Sequence, residues 1–135
     1  MPQAGLVSVL VVDDQAQFRA VMRDVVDAGG SFRLVGEAES GEAAVEAVER
    51  LAPRLVIMDK RMPGVGGIEA CRMIRRLHPD VVVVICSVEE PNPQLARDCG
   101  ASSFVRKQEL SPRLLRDIWR AFGPTSSQPS PESGR

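Results

Sequence analysis

The sequence predicts an α/β chain folded as a doubly wound parallel sheet, and three observations carry that prediction. Five short apolar runs rich in β-branched residues alternate with five segments whose apolar residues recur at helical spacing. The helical spacers supply the crossovers that parallel strands need, and right-handed crossovers place them on both faces of the sheet. The first, third, fourth and fifth runs end at Asp13-Asp14, Asp59, Ser87 and Lys107, so one edge of such a sheet gathers polar groups.

Each element has its own warrant. Val7 to Val12 (VSVLVV) is a continuous aliphatic run suited to a central strand buried on both faces. Phe18, Val21, Met22, Val25 and Val26 then form an apolar helical stripe, with Arg19, Arg23, Asp24 and Asp27 opposite it and Gly29-Gly30 as the stop. Phe32 to Glu37 alternates weakly and reads as a shorter edge strand. Ser40 caps a helix whose stripe is Ala43, Ala44, Val45, Ala47, Val48 and Leu51, ended by Pro53. Leu55 to Met58 is the third strand. Ile68 to Leu77 puts Ile68, Cys71, Met73, Ile74 and Leu77 toward the core and Arg72, Arg75 and Arg76 toward solvent. Val81 to Cys86 (VVVVIC) is the most apolar run and is expected in the middle of the sheet. Pro91 and Pro93 delay the next helix, Gln94 to Cys99, which is short and capped by Asn92. Ser102 to Arg106 is the fifth strand, and Ser111-Pro112 opens a last helix carrying Leu114, Leu115, Ile118 and Trp119.

Composition bounds the function. In 135 residues, 44% hydrophobic and 26% charged, there is room for one domain. Residues 1–122 form it, and residues 123–135, rich in Pro, Ser and Gly, read as a flexible tail or linker. A net charge of -1 gives no general attraction to nucleic acid or anionic membrane. No apolar run approaches the roughly 18 residues of a spanning helix, and no leader pattern is visible, so a cytoplasmic protein is expected. Cys71, Cys86 and Cys99 are spaced like neither a disulfide framework nor a zinc site and read as small buried thiols.

The central stretch is Leu55 to Gly67, LVIMDKRMPGVGG. Its strand ends in one acid, Asp59, and Pro63, Gly64, Gly66 and Gly67 then impose a loop at the carboxyl end of the strand. Asp59 either caps that turn or faces a ligand. Three carboxylates from Asp13, Asp14 and Asp59 at about 5 Å would repel by roughly 3 kcal/mol per pair at an effective dielectric near 20. One lysine, Lys107, cannot balance them. Either a carboxyl group takes up a proton or a divalent cation binds, and an all-oxygen set favours Mg2+ over zinc.

Asp13-Asp14 after the first strand, Asp59 in DKRMPGVGG, Ser87 after the fourth strand and GASSFVRK from Gly100 to Lys107 together resemble the receiver domain of bacterial two-component response regulators. The resemblance covers about residues 6 to 122. It implies a flavodoxin-like (βα)5 fold with strand order 2-1-3-4-5. It further implies Asp59 as phosphoacceptor for a partner histidine kinase and Mg2+ as cofactor. Asp14, Asp59 and the Arg61 backbone carbonyl would be direct ligands of the ion, and Asp13 a ligand through water. Lys107 and Ser87 would contact the phosphoryl oxygens, and Phe104 would swing inward on activation. Gln15, Phe18 and Val21 would offer a kinase-docking surface, with Phe18 and Val21 fitting the core stripe equally well. The last helix is similar to that of receivers preceding a helix-turn-helix domain of the NarL/LuxR type, which implies transcriptional control and a possible homodimer, without direct nucleic-acid binding by this chain.

Two departures from the family pattern, at Val88 and in the fourth helix, and one expected pairing stand out. Val88 occupies a position usually held by Ala or Gly and is expected to crowd the path to Asp59. Arg61 and Glu89 are expected to face each other across the site mouth and screen an acyl phosphate from water. The fourth helix is short, so a phosphorylation-independent interaction module on the same fold is the alternative function. An aspartate-based phosphatase fits poorly, because the acid pair lacks the Asp-x-Asp spacing. Ser87 has no histidine base, and the single histidine, His78, reads as a surface turn residue.

Overall fold

The computed structural model describes residues 5–124. Its elements are β1 Val7–Val12, α1 Ala16–Ala28, β2 Phe32–Ala38, α2 Gly41–Leu51, β3 Leu55–Asp59, α3 Gly67–Leu77, β4 Val82–Ser87, α4 Pro93–Cys99, β5 Ser103–Arg106 and α5 Pro112–Phe122, with a 3-10 turn Lys107–Glu109 before α5. All strand pairs are parallel and the order is β2-β1-β3-β4-β5, as expected. Of the expected tail, residues 125–135 lie outside the described residues.

The strands read as unbroken apolar runs because helices cover both faces. Odd positions of β1 and β3 (Val9, Val11, Leu55, Ile57) pack with Met22, Val25 and Val26 of α1 and Leu115 and Ile118 of α5. Even positions (Leu10, Val12, Val56, Met58) pack with Ala44, Ala47 and Val48 of α2, Cys71 and Ile74 of α3, and Ala96 and Cys99 of α4. The most apolar strand, β4, is interior but not central; β3 holds the middle. Continuous apolarity reports cover on both faces, which β1, β3 and β4 share, and says nothing of rank within the sheet.

Caps close the helices much as the residues suggest. Ser40 Oγ accepts the Ala43 N–H, Asn92 Oδ1 the Leu95 N–H, and Ser111 Oγ the Leu114 N–H. Two residues of the expected core stripes are instead surface residues, Val21 (44% exposed) and Leu77 (59%). Each lies at the border of its apolar arc, where a wide stripe runs past its partner. Arg75 also departs from the expected solvated face: its Nη1 donates to the carbonyls of Pro79 and Val81, pinning the end of α3 to the start of β4. Among the described residues no helix is long and apolar enough to cross a membrane.

Glycines set the loop that follows β3. A Cβ at Gly67 would sit 2.1 Å from the Asp59 carbonyl oxygen, and one at Gly41 would sit 2.2 Å from that of Val65. Backbone therefore packs directly on backbone beneath Asp59, and the Gly67 N–H donates to the Lys60 carbonyl at 2.9 Å. Gly67→Ala is expected to destabilise the fold by about 1–3 kcal/mol in urea denaturation, since the obstacle is main chain rather than a movable side chain; an unchanged midpoint would contradict this packing.

Candidate functional site

Register brings the polar strand ends together. Val12 pairs with Met58 and Asp59 with Cys86, so Asp13 and Asp59 lie level, while Ser87 pairs with Arg106 and places Lys107 one step beyond. Asp13 and Asp59 continue the odd-numbered face covered by α1 and α5, and Lys107 follows Val105 on that same face. This is the physical reason that residues nearly a hundred positions apart in the chain meet.

Asp13 is fully buried, Asp59 is 6% exposed and Ser87 3%, whereas Asp14 is exposed. One carboxylate oxygen from each of Asp13, Asp14 and Asp59 lies within 4.8 Å of the others. Lys107 Nζ stands 3.0 Å from Asp13 Oδ2 and 3.2 Å from Asp59 Oδ1. Asp13 Oδ2 is buried and has no partner beyond that ion pair. Burial raises the Asp59 carboxyl above the usual carboxylate range; Asp13 adds to the shift and Lys107 opposes it. Burial works against the Lys107 charge, yet the contact with Asp13 and the charge of Asp59 outweigh it and hold the ammonium above its ordinary value.

Two buried carboxylates beside a third, exposed one, with the single ammonium of Lys107 in opposition, make a donor set short of positive charge. Hard oxygen ligands at this spacing fit a small divalent cation such as Mg2+. A cavity of about 240 Å3 opens over the group, lined by Asp14, Gln15, Asp59, Arg61, Ser87, Val88 and Lys107. Val88, expected to crowd the path to Asp59, lines this cavity and is 68% exposed.

The rim is held by charge. Arg61 Nη2 meets Glu89 Oε2 at 2.6 Å and Lys60 Nζ meets Glu89 Oε1 at 3.0 Å, joining the loop after β3 to the loop after β4. Hydrogen bonds from Lys60 and then Arg61 draw the Glu89 carboxyl below its usual range. Ser87 Oγ accepts the Glu89 N–H at 3.1 Å, and the Lys60 N–H donates to the Cys86 carbonyl at 2.8 Å. The expected pairing of Arg61 with Glu89 is thus present, with Lys60 as an added partner.

Three contacts were not legible in the sequence. Lys60 also lies 5.6 Å from the Phe104 ring centroid, and nothing about a lysine after an acid signals that. Arg19 Nη1 donates to the Asp13 carbonyl at 2.7 Å while its Nε donates to Glu37 at 3.1 Å, though on the helix it resembles any solvated charge. Phe18 sets its ring 4.2 Å from Lys107 Nζ. Gln15 and Val21 are exposed, and Phe18 is partly buried against the α1/α5 core. Phe104 lies within the core here, 9% exposed. His78 lies far from this group, paired with Glu49 at 3.0 Å at the end of α3.

Comparison with known proteins agrees with the geometry. Residues 9–119 match the response regulator receiver domain family. The response regulator GacA of Pseudomonas viridiflava is 40% identical over 120 residues, covering 87% of this chain and 56% of that protein, so the chain spans little more than half the length of this relative. The response regulator domain of Thermotoga maritima CheB superposes with a TM-score of 0.77 at 33% identity, covering 87% of this chain and 96% of that one. A two-component response regulator of the LuxR family from Aurantimonas sp. SI85-9A1 superposes with a TM-score of 0.79 at 27% identity, covering 87% and 85%. With the strand order, the acidic group and its lysine already in place, these likenesses show that the chain belongs to the response regulator receiver domain family of two-component systems.

Proposed function

We propose that Asp59 accepts a phosphoryl group from the phosphohistidine of a partner sensor kinase, and that the resulting acyl phosphate alters the surface around β4, α4 and β5. The supporting observation is the crowding of Asp13, Asp14 and Asp59 within 4.8 Å around the single ammonium of Lys107 at the floor of an open cavity.

Asp59 forms the new P–O bond as the donor P–N bond breaks, and the imidazole leaves with the electron pair. Nucleophile and phosphoryl group are both negative, so the barrier is dominated by charge, and no general base is needed once Asp59 is ionised. Lys107 offers its ammonium to the incoming phosphoryl oxygens. Ser87, whose Oγ accepts the Glu89 N–H, keeps its own proton to donate to one of them. Asp13, Asp14, Asp59 and the Arg61 carbonyl would hold Mg2+, with Asp13 acting through water. The ion supplies the positive charge that Lys107 alone does not. Chemistry of this kind modifies only the chain itself, and output belongs to a partner surface or a second copy. Transcriptional control is the output we infer from the likeness to LuxR-family regulators.

A second reading rests on Phe104. Its ring is buried with the Lys60 ammonium beside it, an arrangement that suits an interaction module held in one state without phosphorylation. Intact mass after incubation with Mg2+ and a small phosphodonor, and then with a phosphorylated kinase, separates the two. Phosphorylation predicts a gain of one phosphoryl group that Asp59→Asn abolishes; absence of any gain with either donor favours the module.

Arg61 and Glu89 close part of the cavity rim, and we infer that they limit access of water to the acyl phosphate. Replacing both with Ala is expected to speed loss of the phosphoryl group about two- to fivefold in a phosphate-release time course. An unchanged rate would contradict a screening role.

A further inference from the structure

Away from the acidic cavity, α3 and α4 meet through two cysteines. Cys71 is fully buried on α3, and Cys99 is 2% exposed at the last turn of α4. Cys71 Sγ donates to the Cys99 carbonyl at 3.3 Å, and Cys99 Sγ donates to the Ala96 carbonyl at 3.5 Å. Both are free thiols, as is Cys86, which lies among the α1/α5 core residues on the opposite face of the sheet.

We propose that Cys71 and Cys99 form a redox pair whose oxidation to a disulfide ties α4 to α3. In the balanced step a hydroperoxide oxidises one thiolate to the sulfenic acid and departs as the alcohol; the second thiolate then attacks that sulfur and expels water. Two thiols are oxidised and one peroxide bond is reduced.

Three features support the pair beyond proximity. The two thiols perturb each other's acidity: hydrogen bonding with Cys71 draws the Cys99 thiol down against the effect of burial, with help from the Ala101 N–H and Arg72, while the same contact and burial push Cys71 up. The contact that couples them, Cys71 Sγ on the Cys99 carbonyl, joins the two residues that would be linked. Cys86 has no such partner, and burial pushes its thiol up to about 12. Access follows from α4 itself, which has only seven residues and is preceded by Pro91 and Pro93. Local opening of so short a segment would expose both thiols, and a disulfide would hold it on reclosing.

The consequence is a change in the freedom of α4, the helix that borders the loop carrying Val88 and Glu89. Phosphorylation chemistry at Asp59 is not required for it, so this inference stands or falls apart from the proposed function.

The test uses the full chain. After treatment with hydrogen peroxide, the protein is denatured, alkylated with N-ethylmaleimide and weighed intact, then digested with trypsin without reduction. The expected product has lost two hydrogens, carries one adduct on Cys86 instead of three, and yields a linked pair of peptides spanning residues 62–72 and 98–106. Reduction restores three adducts. Cys71→Ala and Cys99→Ala, each a small substitution at a buried position, should both abolish the link. Amide exchange across residues 93–99 should slow about tenfold or more in the oxidised chain. Three adducts after oxidation, a link that includes Cys86, sulfinic acid at Cys99 without a link, or unchanged exchange would each overturn the proposal.

Discussion

The structure turns on an unbalanced charge: two buried carboxylates, Asp13 and Asp59, share one ammonium, Lys107, beside a third acid, Asp14. In a protein interior such an excess is unfavourable unless a proton or a cation relieves it. The upward shift of Asp59 expresses that cost directly, because burial and Asp13 both act against its ionised form. A site that is uncomfortable in its own charge state favours a cation, and the proposed phosphoryl transfer is built on that premise.

Everything around the group maintains its geometry without relieving it. Parallel register carries Asp13, Asp59 and Lys107 to one end of a single face. Arg19 holds the Asp13 main chain through its carbonyl and spends its remaining charge on Glu37, leaving the carboxylate alone. Lys60 and Arg61, the two cations nearest Asp59 in the chain, are drawn outward to Glu89. The positive charges that could have quenched the acids are thus engaged elsewhere, and the loop after β3 can sit this close only because Gly67 offers no side chain to the Asp59 carbonyl.

Much of this was legible in the chain. Strand ends, caps at Ser40, Asn92 and Ser111 and the short α4 follow from patterns local to a few residues, and the convergence of acids with Lys107 follows from setting those strand ends on one edge of a parallel sheet. The errors have a common origin in what periodicity does not encode. Val21 and Leu77 fit helical stripes but are exposed, and β4 was expected to be central because its apolarity is highest, although the order of strands is set by crossovers. Arg75, Arg19 and Lys60 carry long side chains that choose partners only once the fold exists. The Lys60 ammonium beside the buried Phe104 ring is such a choice.

Stability against urea with and without Mg2+, for the parent chain and Asp59→Asn, tests the central claim most directly. A carboxyl raised in the folded state gives a fold whose stability falls as pH climbs from the ordinary value of 3.8 through the raised one. In chelator at neutral pH, Asp59→Asn should therefore be the more stable protein, by on the order of 1 kcal/mol. Mg2+ should raise the stability of the parent and move the variant much less. A variant less stable than its parent in chelator, with Mg2+ leaving both unchanged, would contradict the account.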